Sequence, residues 1–194
     1  MKAQNTRINR EQEAVNRIMD LYEQVLRTGR NDTDYRAKLL QELLKLQKED
    51  GSFSVISNYR VDMDIRVAYV YEPTYYATAA MMFIQTCDPS HMREQERTAL
   101  LRGLSFAEGR HLAGHGYEAT KQQLQALRIY KDAGLYEWLR QFGDTAPSFA
   151  SMINGIISHY REALENGRTI SDWNADFRQE FEKEVSDASE TASM

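Results

Sequence analysis

The sequence predicts a mainly α single domain of about eight helices in antiparallel pairs, with a small β-hairpin inserted at about residues 52–72. Three observations predict it. Apolar residues recur at three- and four-residue spacing through most of the 194-residue chain, the period of an amphipathic helix. Gly, Pro, Asn and Asp punctuate these stretches where helix ends need them. One stretch switches to period two: Tyr59, Val61, Met63, Ile65, Val67, Tyr69 and Tyr71, the spacing of a strand with one buried face.

The elements follow in order. Val15, Ile18, Tyr22, Val25 and Leu26 mark one face of a first helix that ends near Gly29, a C′ glycine. Asn31-Asp32-Thr33 supplies capping oxygens for a second, whose apolar face is Tyr35, Leu39, Leu40, Leu43, Leu44 and Leu46. Phe53, Val55 and Ile56 offer a first strand. The period-two stretch is then either one long strand or a hairpin turning at Val61-Asp62-Met63-Asp64. The hairpin is favoured, because a lone strand leaves its backbone groups unpaired. Pro73 fits the first position of a third helix. That helix, Thr74 to Thr86, is apolar nearly all round and should be central. Asp88-Pro89 reads as N-cap and first position of a fourth, carrying Met92, Leu100, Leu101, Leu104 and Ala107 and ending at Gly109. A fifth spans Tyr117 to Tyr130, and Gly134 and Gly143 bracket a short sixth around Leu135, Trp138 and Leu139. Pro147 opens a seventh with the stripe Phe149, Met152, Ile153, Ile156, Ile157, Tyr160 and Leu164. Thr169-Ile170-Ser171-Asp172 resembles a capping box before an eighth bearing Trp173, Phe177, Phe181 and Val185. The domain is expected over residues 1–185, with 186–194 a frayed tail.

Composition bounds the function. A net charge of -5 argues against nucleic acid as partner, since phosphate binding needs surplus Lys and Arg on one face. The single cysteine, Cys87, allows no intrachain disulfide and suits a reducing compartment. Met1 to Glu13 has no apolar core of a secretory signal, and no run approaches the length of a membrane span. A soluble cytoplasmic protein is the expectation.

A faint internal echo is present. Leu43 to Phe53 reads helix end, acidic residue, glycine, aromatic, followed after an insert by the helix from Pro73. Leu100 to Tyr117 reads helix end, Glu108, glycines, aromatic, then the helix from Glu118. Each unit is an outer helix, a glycine loop and a more buried helix. Leu46-Gln47-Lys48-Glu49-Asp50-Gly51-Ser52-Phe53 resembles the helix-ending Q-x-x-D-G-S-aromatic motif of the α/α-toroid proteins, the terpenoid cyclases and protein prenyltransferases. Pro73-Thr74 before an Ala-rich helix is similar to the inner helices of that fold. The resemblance covers about residues 33–130. It implies an incomplete α/α-toroid-like bundle in which Gln47 and Asp50 tie a helix end to the next turn. It implies little chemistry: Asp62-x-Asp64 lacks the third Asp of the cyclase run, and the prenyltransferase zinc set of Asp, Cys and His has no matching positions.

The segment Gly109-Arg110-His111-Leu112-Ala113-Gly114-His115-Gly116-Tyr117-Glu118 is the strongest candidate site. It packs three glycines, two histidines, an arginine and a carboxylate into ten residues between two helices. His111 and His115 are tunable general acid–base groups, and Glu118 would orient one of them or hold a substrate hydroxyl. Arg110 would bind an anion with its planar fork. His111, His115 and Glu118 could also ligate zinc. The i, i+4 histidine spacing helps only on a helix, however, and the glycines argue against one, so no metal site is assigned. Tyr69, Tyr71, Tyr75 and Tyr76 crowd the entry to the central helix, with Glu72 among them. With Tyr117 they would form an aromatic, acidic mouth suited to a sugar, unless the tyrosines are core residues with their hydroxyls at the rim. Two functions follow. One is a small-ligand pocket, for a sugar or an anion, where Gly109–Glu118 meets Tyr69–Tyr76, with or without catalysis. The other is a non-enzymatic interaction module, docking a partner helix or a second copy on a face such as Trp173, Phe177 and Phe181.

Overall fold

The computed structural model describes residues 2–28, 32–56, 67–110 and 117–166. Among these residues the chain forms seven α-helices: α1 (Lys2–Arg27), α2 (Thr33–Leu44), α3 (Glu72–Cys87), α4 (Glu94–Arg110), α5 (Tyr117–Asp132), α6 (Leu135–Phe142) and α7 (Pro147–Glu165). A π turn, Val67–Tyr71, leads directly into α3, and a 3-10 turn, Gly143–Thr145, joins α6 to α7.

The expected hairpin and the count of about eight helices do not stand. No strand occurs among the described residues, and the last residues of the alternating stretch lie in the π turn. The burial pattern shows why. Val70 and Tyr71 are adjacent and both buried, which a strand with one solvent face forbids and a helical turn allows. The Val55 N–H does reach Tyr69 O at 2.9 Å, but the Phe53 N–H goes to the Thr74 side chain at 2.9 Å, so no ladder forms. The expected eighth helix, the tail from Ser186 and the turn at Asp62–Asp64 lie outside the described residues. The fourth helix also starts later than expected. Asp88 caps the end of α3 rather than the start of α4, which begins at Glu94.

The order of the helices in space can be read from their side-chain bonds. α1 meets the π turn through Tyr69–Gln12 and α3 through Tyr22–Tyr76. α3 meets α5 and α6 through Glu72–Gln125, Tyr75–Gln122, Thr78–Tyr130 and Gln85–Trp138. α2 and the turn after it meet residues 88–102 through Arg36–Asp88, Gln41–Glu96, Gln47–Ala99 and Gln47–Arg102. From the first to the last pair of each set the two residue numbers rise together, with Tyr75–Gln122 the one pair out of order, so the neighbours run parallel. The hydrogen-bonded pairs are 47–57 residues apart, most of them 52–55. The inner row is therefore α1, α3 and α5–α6, and α2 and α4 lie outside it, with α7 packed on α4. The row is curled rather than flat: Tyr22 of α1 donates to Ile129 O of α5 at 3.1 Å, across two registers.

Enclosure explains the composition of α3. Ala77, Ala79, Ala80, Met81 and Met82 are all fully buried, because helices stand on every side of them. Its polar residues bond internally. Thr78 Oγ1 lies 2.7 Å from Thr74 O and 2.8 Å from Tyr130 Oη, and Trp138 Nε1 donates to Gln85 Oε1 at 2.8 Å. The turn after α2 is held just as fully. Gln47 Nε2 donates to Gly51 O (3.1 Å) and Ala99 O (2.8 Å), and Asp50 Oδ1 accepts the Ser52 N–H at 3.0 Å. Gly51 has φ +87°, and a Cβ there would stand 2.5 Å from Arg102 O. Only glycine fits, on both grounds.

Candidate functional site

Two places concentrate polar chemistry, one at each end of α3. The first is the entry to α3, where Tyr69, Tyr71, Glu72 and Tyr75 were expected to line a mouth. Tyr71 and Tyr75 are buried, and both belong to the core cluster. Tyr75 Oη accepts from Gln122 Nε2 at 2.8 Å, and burial holds its hydroxyl proton well above the usual phenol range. Tyr69 is half-buried and donates to Gln12 Oε1 at 2.8 Å. Glu72 is half-buried and accepts from Gln125 Nε2. Burial pushes its carboxyl up, only partly offset by that bond. The mouth thus meets α5 at Gln122 and Gln125. His111 and His115 lie outside the described residues, as do the side chains of Arg110, Tyr117 and Glu118.

The second place is a cleft of about 230 Å³ at the other end of α3. α2 contributes Thr33, Ala37, Leu40 and Gln41. The end of α3 contributes Ile84 and Asp88, and the segment leading into α4 contributes His91, Met92, Arg93 and Glu96. The floor is apolar: Leu40, Ile84 and Met92 are buried members of the core. The walls are ion pairs.

Asp88 forms the back wall, and Arg36 holds it from behind. Arg36 lies on the same helical stripe as Leu39, Leu40 and Leu43 and is wholly buried. A guanidinium cannot shed its proton there, so a carboxylate must answer it. Asp88 does. Its Oδ2 accepts from Arg36 Nε. Its Oδ1 accepts from Arg36 Nη2 at 3.0 Å and from Thr33 Oγ1 at 2.9 Å. The Arg36 guanidinium holds the Asp88 carboxyl below the usual carboxylate range, against the opposing effect of burial.

Glu96 builds the front wall. It is the third residue of α4 and accepts the Arg93 N–H at 2.7 Å, as in a capping box. Its Oε1 takes Arg93 Nε (2.8 Å), Arg93 Nη2 (2.5 Å) and Gln41 Nε2 (2.7 Å). Burial pushes its carboxyl up, but the bonds from Arg93 and Gln41 outweigh that and hold it low. At the mouth stand two exposed side chains. Arg93 is 67% exposed, and His91 has Nδ1 3.3 Å from Ser90 Oγ. Both carboxylates accept from arginine, and the two exposed side chains at the mouth, Arg93 and His91, can donate N–H bonds outward.

None of the cleft residues was singled out from the sequence as a site. One signal existed: Arg36 interrupts an otherwise leucine stripe. Among the described residues no three His, Cys, Asp or Glu side chains gather as a metal site. No described helix is long and apolar enough to cross a membrane. Comparison with known proteins gives no match to a family model, a curated protein or a solved structure.

Proposed function

We propose that this chain binds a small ligand in the cleft between α2, the end of α3 and the start of α4. The observation that carries the reading is the cleft's make-up: an apolar floor, walls of fully bonded ion pairs and two exposed donors at the mouth. Ligand sites are usually concave, mostly apolar and oriented by a few polar groups. At about 230 Å³ the cleft is smaller than drug-sized pockets and suits a ligand of about eight non-hydrogen atoms, at ~30 Å³ for each water-sized group. This reading puts an anion at the other end of α3 from its entry; the histidines of the glycine segment lie outside the described residues. A cytoplasmic location fits this reading.

Fragment screening tests it, with the Met92 ε-methyl followed by NMR. A fragment should move that methyl and raise the melting temperature. Both effects should vanish in Ala37→Phe, which fills the cleft from an exposed position. If no fragment moves the Met92 methyl, the reading fails.

A second reading keeps a sugar or anion site at the entry to α3, with His111, His115 and Glu118 as acid–base groups. The observation that favours it is Glu72, a half-buried carboxyl with a raised proton affinity beside Gln125. Loss of a sugar-induced thermal shift in Glu72→Gln, His115→Ala and Glu118→Ala would support it. The docking alternative has less to rest on. The sole large apolar side chain exposed among the described residues is Tyr35, at 40%, and its hydroxyl bonds Gln24 at 2.7 Å. Trp173, Phe177 and Phe181 lie outside the described residues.

A further inference from the structure

We infer that the ligand of this cleft is a short amphipathic monoanion, its apolar body on Leu40, Ile84 and Met92 and its anionic head at Arg93 and His91. The inference rests on the cleft being a binding site and adds the ligand's chemical class.

Charge and donor accounting carry it. Four lining or backing groups are ionised: Arg36 and Arg93 against Asp88 and Glu96. They cancel, so neither sign is favoured by net charge. Hydrogen bonding breaks the tie. Asp88 accepts three bonds, two from Arg36 and one from Thr33. Glu96 accepts four, from Arg93 and Gln41. A cationic ligand would be left the second lone pairs of Asp88 Oδ2 and Glu96 Oε2, beside the Arg36 and Arg93 guanidinium groups that repel it. Displacing Arg36 from Asp88 would strand a wholly buried arginine, which is costly. An anion displaces nothing. The Arg93 fork spends Nε and Nη2 on Glu96 and leaves its other donors on an exposed side chain. The His91 ring donates from Nε2 when Nδ1 accepts from Ser90 Oγ, and from both nitrogens when it is protonated.

The floor sets the rest. Leu40, Ile84 and Met92 offer hydrocarbon and sulfur, with no hydroxyl or amide to orient a polyol. A sugar would leave its hydroxyls unpaired there. Methionine and isoleucine side chains fit an alkyl or branched body of a few carbons.

The probes are hexanoate, hexylammonium and 1-hexanol, of similar length and different head charge. Binding is read from the Met92 ε-methyl shift, assigned by its disappearance in Met92→Leu. Hexanoate should bind, and its affinity should fall about tenfold or more in Arg93→Gln and in His91→Ala, the cost of a charge-assisted hydrogen bond. Hexylammonium should not compete. The His91 side chain is exposed and its ring lies against Ser90, while its backbone bond to Asp88 O survives truncation, so His91→Ala keeps the inference testable should Arg93→Gln lose its helix cap. Hexylammonium or hexanol binding as tightly as hexanoate, and lost in Ala37→Phe, would overturn the anion and leave the cleft a binding site. No response of Met92 to any probe would overturn both.

Discussion

The Arg36–Asp88 pair makes a quantitative prediction. Asp88→Asn keeps the shape of the side chain and a carbonyl acceptor but removes the charge. Arg36 stays wholly buried and ionised, with the carboxylate that bonds its guanidinium gone. Breaking a buried pair by removing one partner costs about 3–5 kcal/mol. For a chain of this size each kcal/mol lowers the melting temperature by about 2–4 °C. A fall of about 6–20 °C is therefore expected on thermal unfolding followed by circular dichroism. The two partners are not equivalent. Arg36→Met leaves Asp88 at the cleft wall, where Thr33 still donates and water can enter, so it should cost less. The double substitution should be milder than the sum of the singles, because nothing charged is then left unpaired. The pair also sets an acid limit. The folded-state carboxyl titrates below its unfolded value. Its contribution is thus complete above about pH 4, the ordinary Asp range, and is lost as pH falls through the folded value. Asp88→Asn should flatten that part of the stability–pH curve. A loss under about 1 kcal/mol in Asp88→Asn, with additive singles, would refute the reasoning.

Three other substitutions probe other parts of the fold. Glu72→Gln should stabilise at pH 7. The folded state raises this carboxyl's proton affinity, so ionisation costs folding free energy as pH rises past the unfolded value. The gain should shrink toward pH 4, and urea titrations at both pH values would show it. Gly51→Ala meets Arg102 O at 2.5 Å in a φ +87° conformation and should cost at least ~2 kcal/mol by strain and overlap. An unchanged urea midpoint would contradict this. Gly103→Ala sets a helix-propensity gain of ~1 kcal/mol against a Cβ 2.5 Å from Thr78 Cγ2. Thr78 is pinned by two hydrogen bonds, so overpacking of about 1–3 kcal/mol should win; a more stable variant would mean that Thr78 turns freely.

The helices were legible because each carries its own period. α7 runs from the proline that opens its stripe, and α3 is as central as its all-round apolar surface requires. The alternating stretch misled for a geometric reason. A set of every second residue also contains every fourth, so Val67 and Tyr71, read as strand neighbours, equally suit one helical turn. Val70, an apolar residue at an off-beat position, was the sign that the alternation had ended. Asp88-Pro89 misled because aspartate serves both as a cap and as an ion-pair partner, and Arg36 lies 52 residues earlier. The cleft was illegible for the same reason. Its walls join residues that no local pattern relates, and the Arg93-x-x-Glu96 box has arginine where a cap usually shows Ser or Thr. At the entry to α3 the sequence leaves two readings open, a mouth or core tyrosines with hydroxyls at the rim: Tyr71 and Tyr75 lie in the core, while Tyr69, Glu72 and Tyr76 are half-buried.

The curled inner row has a kinetic consequence. α3 touches α1 on one flank and α5–α6 on the other, and Tyr22 closes the gap between those flanks. No edge of α3 can fray without parting helices that themselves hold each other. Its amides should then exchange with solvent only when the whole domain opens, while α2 and α7, outside the ring, open in smaller steps. The slowest deuterium uptake in the molecule should therefore fall at Ala77–Met82. Its rate should report global stability directly, whichever end of the helix proves to hold the ligand.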